Sequence, residues 1–172
     1  MSRQKDGPSK KILKILSEKP AISLDNLKAK EPKETYALTR AVKNLVDSGY
    51  AEMLSSANQN YVRITKKGKT KWNSYKLESS DALVPQVWDG YWRIIILDLD
   101  EERKSERESL RYLLKKAGFV NLKNSAWISP YPYEHLFTSI KKDLGLTTEM
   151  MIIVTQFIDE ETKKVLFESF GK

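Results

Sequence analysis

The chain has 172 residues, 40% of them hydrophobic and 31% charged, with seven Gly and six Pro, a composition that folds into one ordinary domain or two small ones and excludes fibrous and disordered classes. It has no cysteine and a single histidine, His135, which excludes disulfide frameworks, thiolate zinc sites, thiol nucleophiles and multi-histidine metal centres. The net charge of +7 is unevenly spread: residues 1–77 hold 17 basic and 7 acidic side chains, a net of +10, while residues 78–172 hold 13 and 16, a net of −3.

In chain order, Ser9 to Ser17 reads as a helix, because Ile12, Leu13, Ile15 and Leu16 recur at three- and four-residue spacing with Lys10, Lys11 and Lys14 on the other side. The same lysines interrupt the apolar stretch that a signal peptide needs, and no apolar run approaches the roughly 20 residues that span a bilayer, so a cytoplasmic protein without membrane association is expected. Pro20 stops the helix. Ser23 is a good N-cap for a short helix over Leu24 to Ala29, and a third helix runs from Pro32 to Ser48 with Leu38, Val42, Leu45 and Val46 on one face and Gly49 as its stop. Two strand-like segments, Tyr50 to Ser55 and Tyr61 to Thr65, flank the turn cluster Ser56-Ala57-Asn58-Gln59-Asn60, which predicts a hairpin.

Three helices and a hairpin with a polar tip are the layout of a winged helix. The stretches Tyr36-Ala37-Leu38-Thr39-Arg40, Leu45-Val46-Asp47-Ser48-Gly49-Tyr50 and Tyr61-Val62-Arg63-Ile64-Thr65-Lys66-Lys67-Gly68 resemble bacterial winged helix-turn-helix regulators. That resemblance, over residues 9–71, implies a recognition helix in the major groove. Thr35, Tyr36, Thr39, Arg40 and Lys43 lie opposite Leu38, Val42 and Leu45 and are the expected readers, Arg40 being suited to a bidentate guanine contact. Arg63, Lys66, Lys67, Lys69 and Lys71 cluster in and just after the wing, where they are expected to neutralise phosphates. An exposed polar helix face and a solvated lysine-rich surface would give the same pattern.

Thr70 to Leu77 extends as a linker helix, and residues 78–83 read as a polar joint between a first domain at 1–77 and a second at 84–172. In the second, Trp92 to Leu99 is a buried strand, Arg103 to Ala117 a helix, Phe119 to Ser129 two short strands, Glu134 to Leu144 a helix, Met150 to Ile158 a strand and Glu160 to Phe170 a helix or tail. The order βαββαβ predicts a ferredoxin-like sandwich with its helices on one face of the sheet. The overall class is α+β, a winged helix-turn-helix domain followed by a ferredoxin-like domain.

Trp88-Asp89-Gly90-Tyr91-Trp92-Arg93, Leu97-Asp98, Gly118-Phe119 and Ser125-Ala126-Trp127-Ile128-Ser129-Pro130 closely resemble the central domain of PaaX-family transcriptional repressors, a domain similar to CRISPR-associated protein 2. The resemblance implies a homodimeric regulator of double-stranded DNA acting on inverted half-sites. The chain ends near Lys172, without the C-terminal region such proteins usually carry, which leaves a small-molecule effector open. No cofactor is expected. The dense aromatics Trp88, Trp92, Trp127, Tyr91, Tyr131 and Tyr133 would suit a small-molecule pocket, but large aromatics around a thin sheet more often supply core or dimer-interface area, and the interface is preferred.

Asp98 ends the first strand of this domain, the position that CRISPR-associated protein 2 nucleases use for a shared metal. The competing reading is therefore a metal-dependent nuclease or a scaffold for CRISPR adaptation, with Asp98 as metal ligand. A capping or solubilising role for Asp98 is preferred, and a non-enzyme is expected. A module that binds RNA through the sheet is disfavoured by the acidic second half.

Overall fold

A computed structural model describes residues 7–27, 31–56, 59–78 and 84–171. It is a mixed α and β chain that divides into two compact units, Met1–Lys76 and Leu77–Lys172. Each unit has its own antiparallel sheet.

Unit 1 begins with helix α1 (Pro8–Glu18), then the two-residue strand β1 (Ile22–Ser23) and a single 3₁₀ turn over Leu24–Leu27. The Ser23 hydroxyl accepts from the Asp25 N–H at 3.2 Å. The helix expected over Leu24 to Ala29 is thus a 3₁₀ turn as far as Leu27, residues 28–30 lying outside the described set. Helix α2 (Pro32–Asp47) follows, then strands β2 (Ala51–Ser56) and β3 (Gln59–Ile64) and helix α3 (Lys66–Glu78).

The three strands lie in the order β1-β3-β2. Asn60 and Gln59 pair with Ser55 and Ser56, so these two belong to the strand rather than to the hairpin tip where the sequence placed them. Asn58 falls outside the described residues. Strand alternation turns Val62 and Ile64 inward, where they meet Ile12, Leu13 and Leu16 of α1 and Ala41, Val42 and Leu45 of α2.

The end of α2 is tightly specified. Gly49 adopts φ +72°, so its N–H reaches the Val46 carbonyl at 2.8 Å while the Tyr50 N–H reaches that of Leu45 at 2.8 Å, closing the helix with a Schellman motif. Thr65 then ties this end to the start of α3. Its N–H donates to the Tyr50 carbonyl at 3.1 Å, its hydroxyl donates to the Gly49 carbonyl at 2.7 Å, and the same oxygen accepts the Gly68 N–H at 3.1 Å. Gly68 is glycine because a Cβ there would sit 1.9 Å from the Tyr50 oxygen. The Ile-Thr-x-x-Gly signature of the sequence is this junction.

Unit 2 contains strand β4 (Trp92–Leu97), a 3₁₀ turn (Glu101–Arg103), helix α4 (Lys104–Lys116), strands β5 (Val120–Lys123) and β6 (Ala126–Ser129), helix α5 (Glu134–Asp143), strand β7 (Met150–Thr155) and helix α6 (Glu160–Ser169). The sheet order is β5-β6-β4-β7 with every neighbour antiparallel. Alternation along β4 sends Ile95 and Leu97 to one face, where Trp127, Met150, Leu110, Leu113 and Leu114 of α4, and Phe137 and Ile140 of α5 complete the larger core. Trp92 and Ile94 point to the other face with Ile128.

That second face is not bare. Leu166, Phe167 and Phe170, from α6 and its end, pack on it with Trp88 and Trp92, ring centroids lying 5.4–6.2 Å apart. Helices therefore lie on both faces, not one as expected. Trp92, Trp127 and Tyr133 are buried within the chain, which removes them from the dimer interface that the sequence suggested.

Candidate nucleic-acid interface

Helix α2 presents two unlike faces. Leu45, Ala41 and Val42 are buried, whereas Tyr36, Thr39, Arg40 and Lys43 are exposed and, together with Asn44 and Asp47, line one shallow groove along the helix. Tyr36 is 71% exposed, unusual for a side chain of its apolar area. None of Tyr36, Arg40, Lys43, Asn44 and Asp47 has a side-chain hydrogen bond or ion pair to another described residue. A polar face with its donors unspent differs from one whose charges are already neutralised.

The two threonines are different. The Thr39 hydroxyl donates to the Thr35 carbonyl at 2.9 Å and that of Thr35 to the Glu31 carbonyl at 3.2 Å, so both protons are spent on the helix. Thr39 keeps a methyl group and oxygen lone pairs for a ligand. Thr35 is half-buried and lies outside the groove.

The cations behind the helix also divide. Arg63 stands opposite Glu52 on the paired strand and its Nε donates to that carboxylate at 2.7 Å. Lys67 donates through Nζ to the Ser48 carbonyl at 2.9 Å and lies 5.0 Å from the centre of the Tyr50 ring, so it holds the C-terminal end of α2. Lys66, Lys67 and Lys69 occupy the first turn of α3, just after the second strand of the hairpin. No acidic residue accompanies them there, an arrangement that opposes the helix dipole. Lys10 and Lys71 flank the Tyr75 ring at 5.9 and 4.9 Å. Lys11 and Lys14 are exposed on α1.

In unit 2 the most deeply buried charged constellation is structural. Arg93, 3% exposed, donates to both Asp89 oxygens at 2.5 and 2.7 Å, to both Glu134 oxygens at 2.8 and 3.1 Å and to the carbonyls of Tyr91 and Pro130 at 3.0 and 3.5 Å. The guanidinium hydrogen bond holds the Asp89 carboxyl down at about 2 and lowers that of Glu134, and the carboxylates raise the Arg93 pKa in return. Every N–H of the guanidinium is occupied, so nothing is left for an anionic ligand. The Asp89 Oδ1 also accepts the Tyr91 N–H at 3.1 Å, and the Trp88 indole donates to the Tyr91 carbonyl at 3.1 Å. The Trp-Asp-Gly-Tyr-Trp-Arg signature thus builds the loop that leads into β4.

Asp98 is exposed at the end of β4, where its N–H donates to the Glu149 carbonyl at 2.8 Å. It caps no helix, because the turn before α4 has Asp100 at its N-cap and α4 itself has Arg103. Among the described residues, no three His, Asp or Glu side chains gather to hold a metal ion, and no helix is long and apolar enough to cross a membrane.

Sequence reasoning overlooked Asn44 and Asp47, although Asn44 stands one turn beyond Arg40 and that interval was available to read.

No curated protein matches the chain. The family whose description is PaaX protein central Cas2-like domain matches residues 85–167, a stretch that takes in every strand of the second sheet and most of α6.

Proposed function

We propose that the protein is a homodimeric transcriptional regulator of the PaaX type, a repressor, in which unit 1 is a winged helix-turn-helix module that reads duplex DNA with α2 and unit 2 is a ferredoxin-like domain that joins two copies. The observation that carries this reading is the outward face of α2, an exposed row of polar side chains with unspent hydrogen-bonding capacity on a helix anchored at its C-terminal end. The match of residues 85–167 to the PaaX central domain supports the regulatory role.

In this reading Arg40 contacts a guanine edge, Tyr36, Thr39 and Lys43 flank it, Thr35 supports the helix, and Lys66, Lys69, Lys11 and Lys14 meet phosphates. Arg63 reaches a phosphate by exchanging Glu52 for it.

The dimer has a surface of suitable chemistry. The outer strand β5 is four residues long, interrupted by a register shift, and carries Asn121 and Lys123, features that discourage further pairing. The other outer strand, β7, spans six residues without charge or proline and exposes Met151 and Val154. Phe157 just beyond is 84% exposed. An unguarded, uncharged edge next to an exposed aromatic suits a second copy of the same strand.

Arg40→Ala tests the reading. It should remove discrimination worth about 1 to 3 kcal/mol between a preferred and a random duplex, and equal losses on both duplexes would refute the assignment.

A further inference from the structure

We infer that Asn44 is a second base-reading residue, specifying an adenine within about two base pairs of the guanine read by Arg40. This deepens the reading of α2 given above and rests on it. Asn44 is exposed, shares the groove with Arg40, and has no side-chain partner among the described residues. Thr39 and Thr35, five and nine residues earlier, return their hydroxyls to their own helix, whereas the Asn44 amide does not. Asparagine is also a poor residue for a helix interior, so neither packing nor propensity accounts for it.

The geometry matches the chemistry of a base edge. Residues four apart on an α-helix share a row and differ by about 6 Å along the axis, close to two base-pair steps at about 3.4 Å each. An amide offers one donor and one acceptor, the complement of adenine N7 and the N6 amino group, while a guanidinium offers two donors to guanine O6 and N7. The Arg40–Asn44 row therefore reads two purines of different kind. Thr39, with its proton spent on Thr35, supplies a methyl and an acceptor at the edge of the same face. Asp47 extends the groove and carries a negative charge at the helix C-terminus, so the contacts to DNA end at Asn44.

The test is selection of bound duplexes from a random-sequence library by the full chain, comparing wild type, Asn44→Ala and Arg40→Ala, each checked by its thermal midpoint. Both positions are exposed and alanine favours a helix, so the fold is retained. Wild type should enrich a motif with a G·C and an A·T pair in that spacing. Asn44→Ala should lose about ten- to a hundredfold preference at the A·T position only, and Arg40→Ala at the G·C position only. If Arg40→Ala alters the motif and Asn44→Ala leaves it unchanged, the Asn44 assignment is wrong and the reading of α2 stands. If neither variant alters it, or wild type enriches nothing, the reading of α2 falls as well.

Discussion

Replacing Gly68 by alanine tests the junction on which the reading helix depends. The added methyl would lie 1.9 Å from the Tyr50 oxygen, 2.7 Å from the Ile64 Cγ1 and 2.9 Å from the Tyr50 carbonyl carbon, so the Tyr50 carbonyl must withdraw by roughly 1.5 Å to restore ordinary contact. That carbonyl accepts the Thr65 N–H, and the Tyr50 N–H closes α2 on Leu45, so it cannot move alone. Overpacking costs about 1 to 3 kcal/mol and the strained hydrogen bond about 1 more. The better helix propensity of alanine returns about 1, leaving a net loss of about 1 to 3 kcal/mol. At about 4 to 8 °C per kcal/mol for a unit of this size, the thermal midpoint of unit 1 should fall by roughly 4 to 24 °C. Circular dichroism and calorimetry of the full chain would read it, and DNA affinity should fall in parallel because the end of α2 is displaced. A midpoint within about 2 °C of wild type would show that the Gly68–Tyr50 contact does not hold the junction.

Lys67→Ala should lower the midpoint by removing the bond to Ser48 while leaving the dependence of affinity on salt almost unchanged; a fall of about one in the slope would mark Lys67 as a phosphate contact instead. Asp89 has a folded pKa of about 2 against an ordinary 3.8, so its contribution is present above about pH 4 and is lost as pH falls through about 2. Asp89→Asn should therefore weaken unit 2 at neutral pH and flatten its loss of stability between about pH 4 and 2, and an unchanged acid profile in unfolding experiments would exclude the Asp89–Arg93 pair as its cause. Val154→Lys should convert the dimer to monomer in analytical ultracentrifugation by charging the β7 edge, and an unaltered sedimentation coefficient would place the contact elsewhere.

What the sequence revealed and what it concealed follow one distinction. Patterns complete within a few residues were readable. The 3.6-residue spacing of Ile12, Leu13 and Leu16, and of Leu110, Leu113 and Leu114, announced helices that the structure contains, and Gly49 announced the end of α2. Features that need a partner far along the chain were not. The start of α3 read as Thr70 rather than Lys66 because the first turn lacks acidic residues and its cap, Thr65, is recognisable only with Gly49 beside it. The aromatic cluster read as an interface because Phe167 and Phe170, which bury Trp88 and Trp92, come some 75 residues later. Strand β1, two residues long, has no period to detect. At the candidate site, the outward row of α2 was visible as a helix face, but the internal bonds of Thr35, Thr39, Arg63 and Lys67 separated spent groups from available ones only in three dimensions.

Whether the exposed face of α2 grips duplex DNA is decided by the salt dependence of binding. Fluorescence anisotropy would follow the full chain on a labelled random-sequence duplex from about 50 to 200 mM salt, for wild type and for Arg40→Ala/Lys43→Ala. Wild-type affinity should fall steeply with salt, at about 0.9 in the logarithmic slope per neutralised phosphate, and the double variant should bind markedly more weakly throughout. Undetectable binding at the lowest salt, or titrations for the double variant that superimpose on wild type, would show that the exposed face of α2 does not grip DNA.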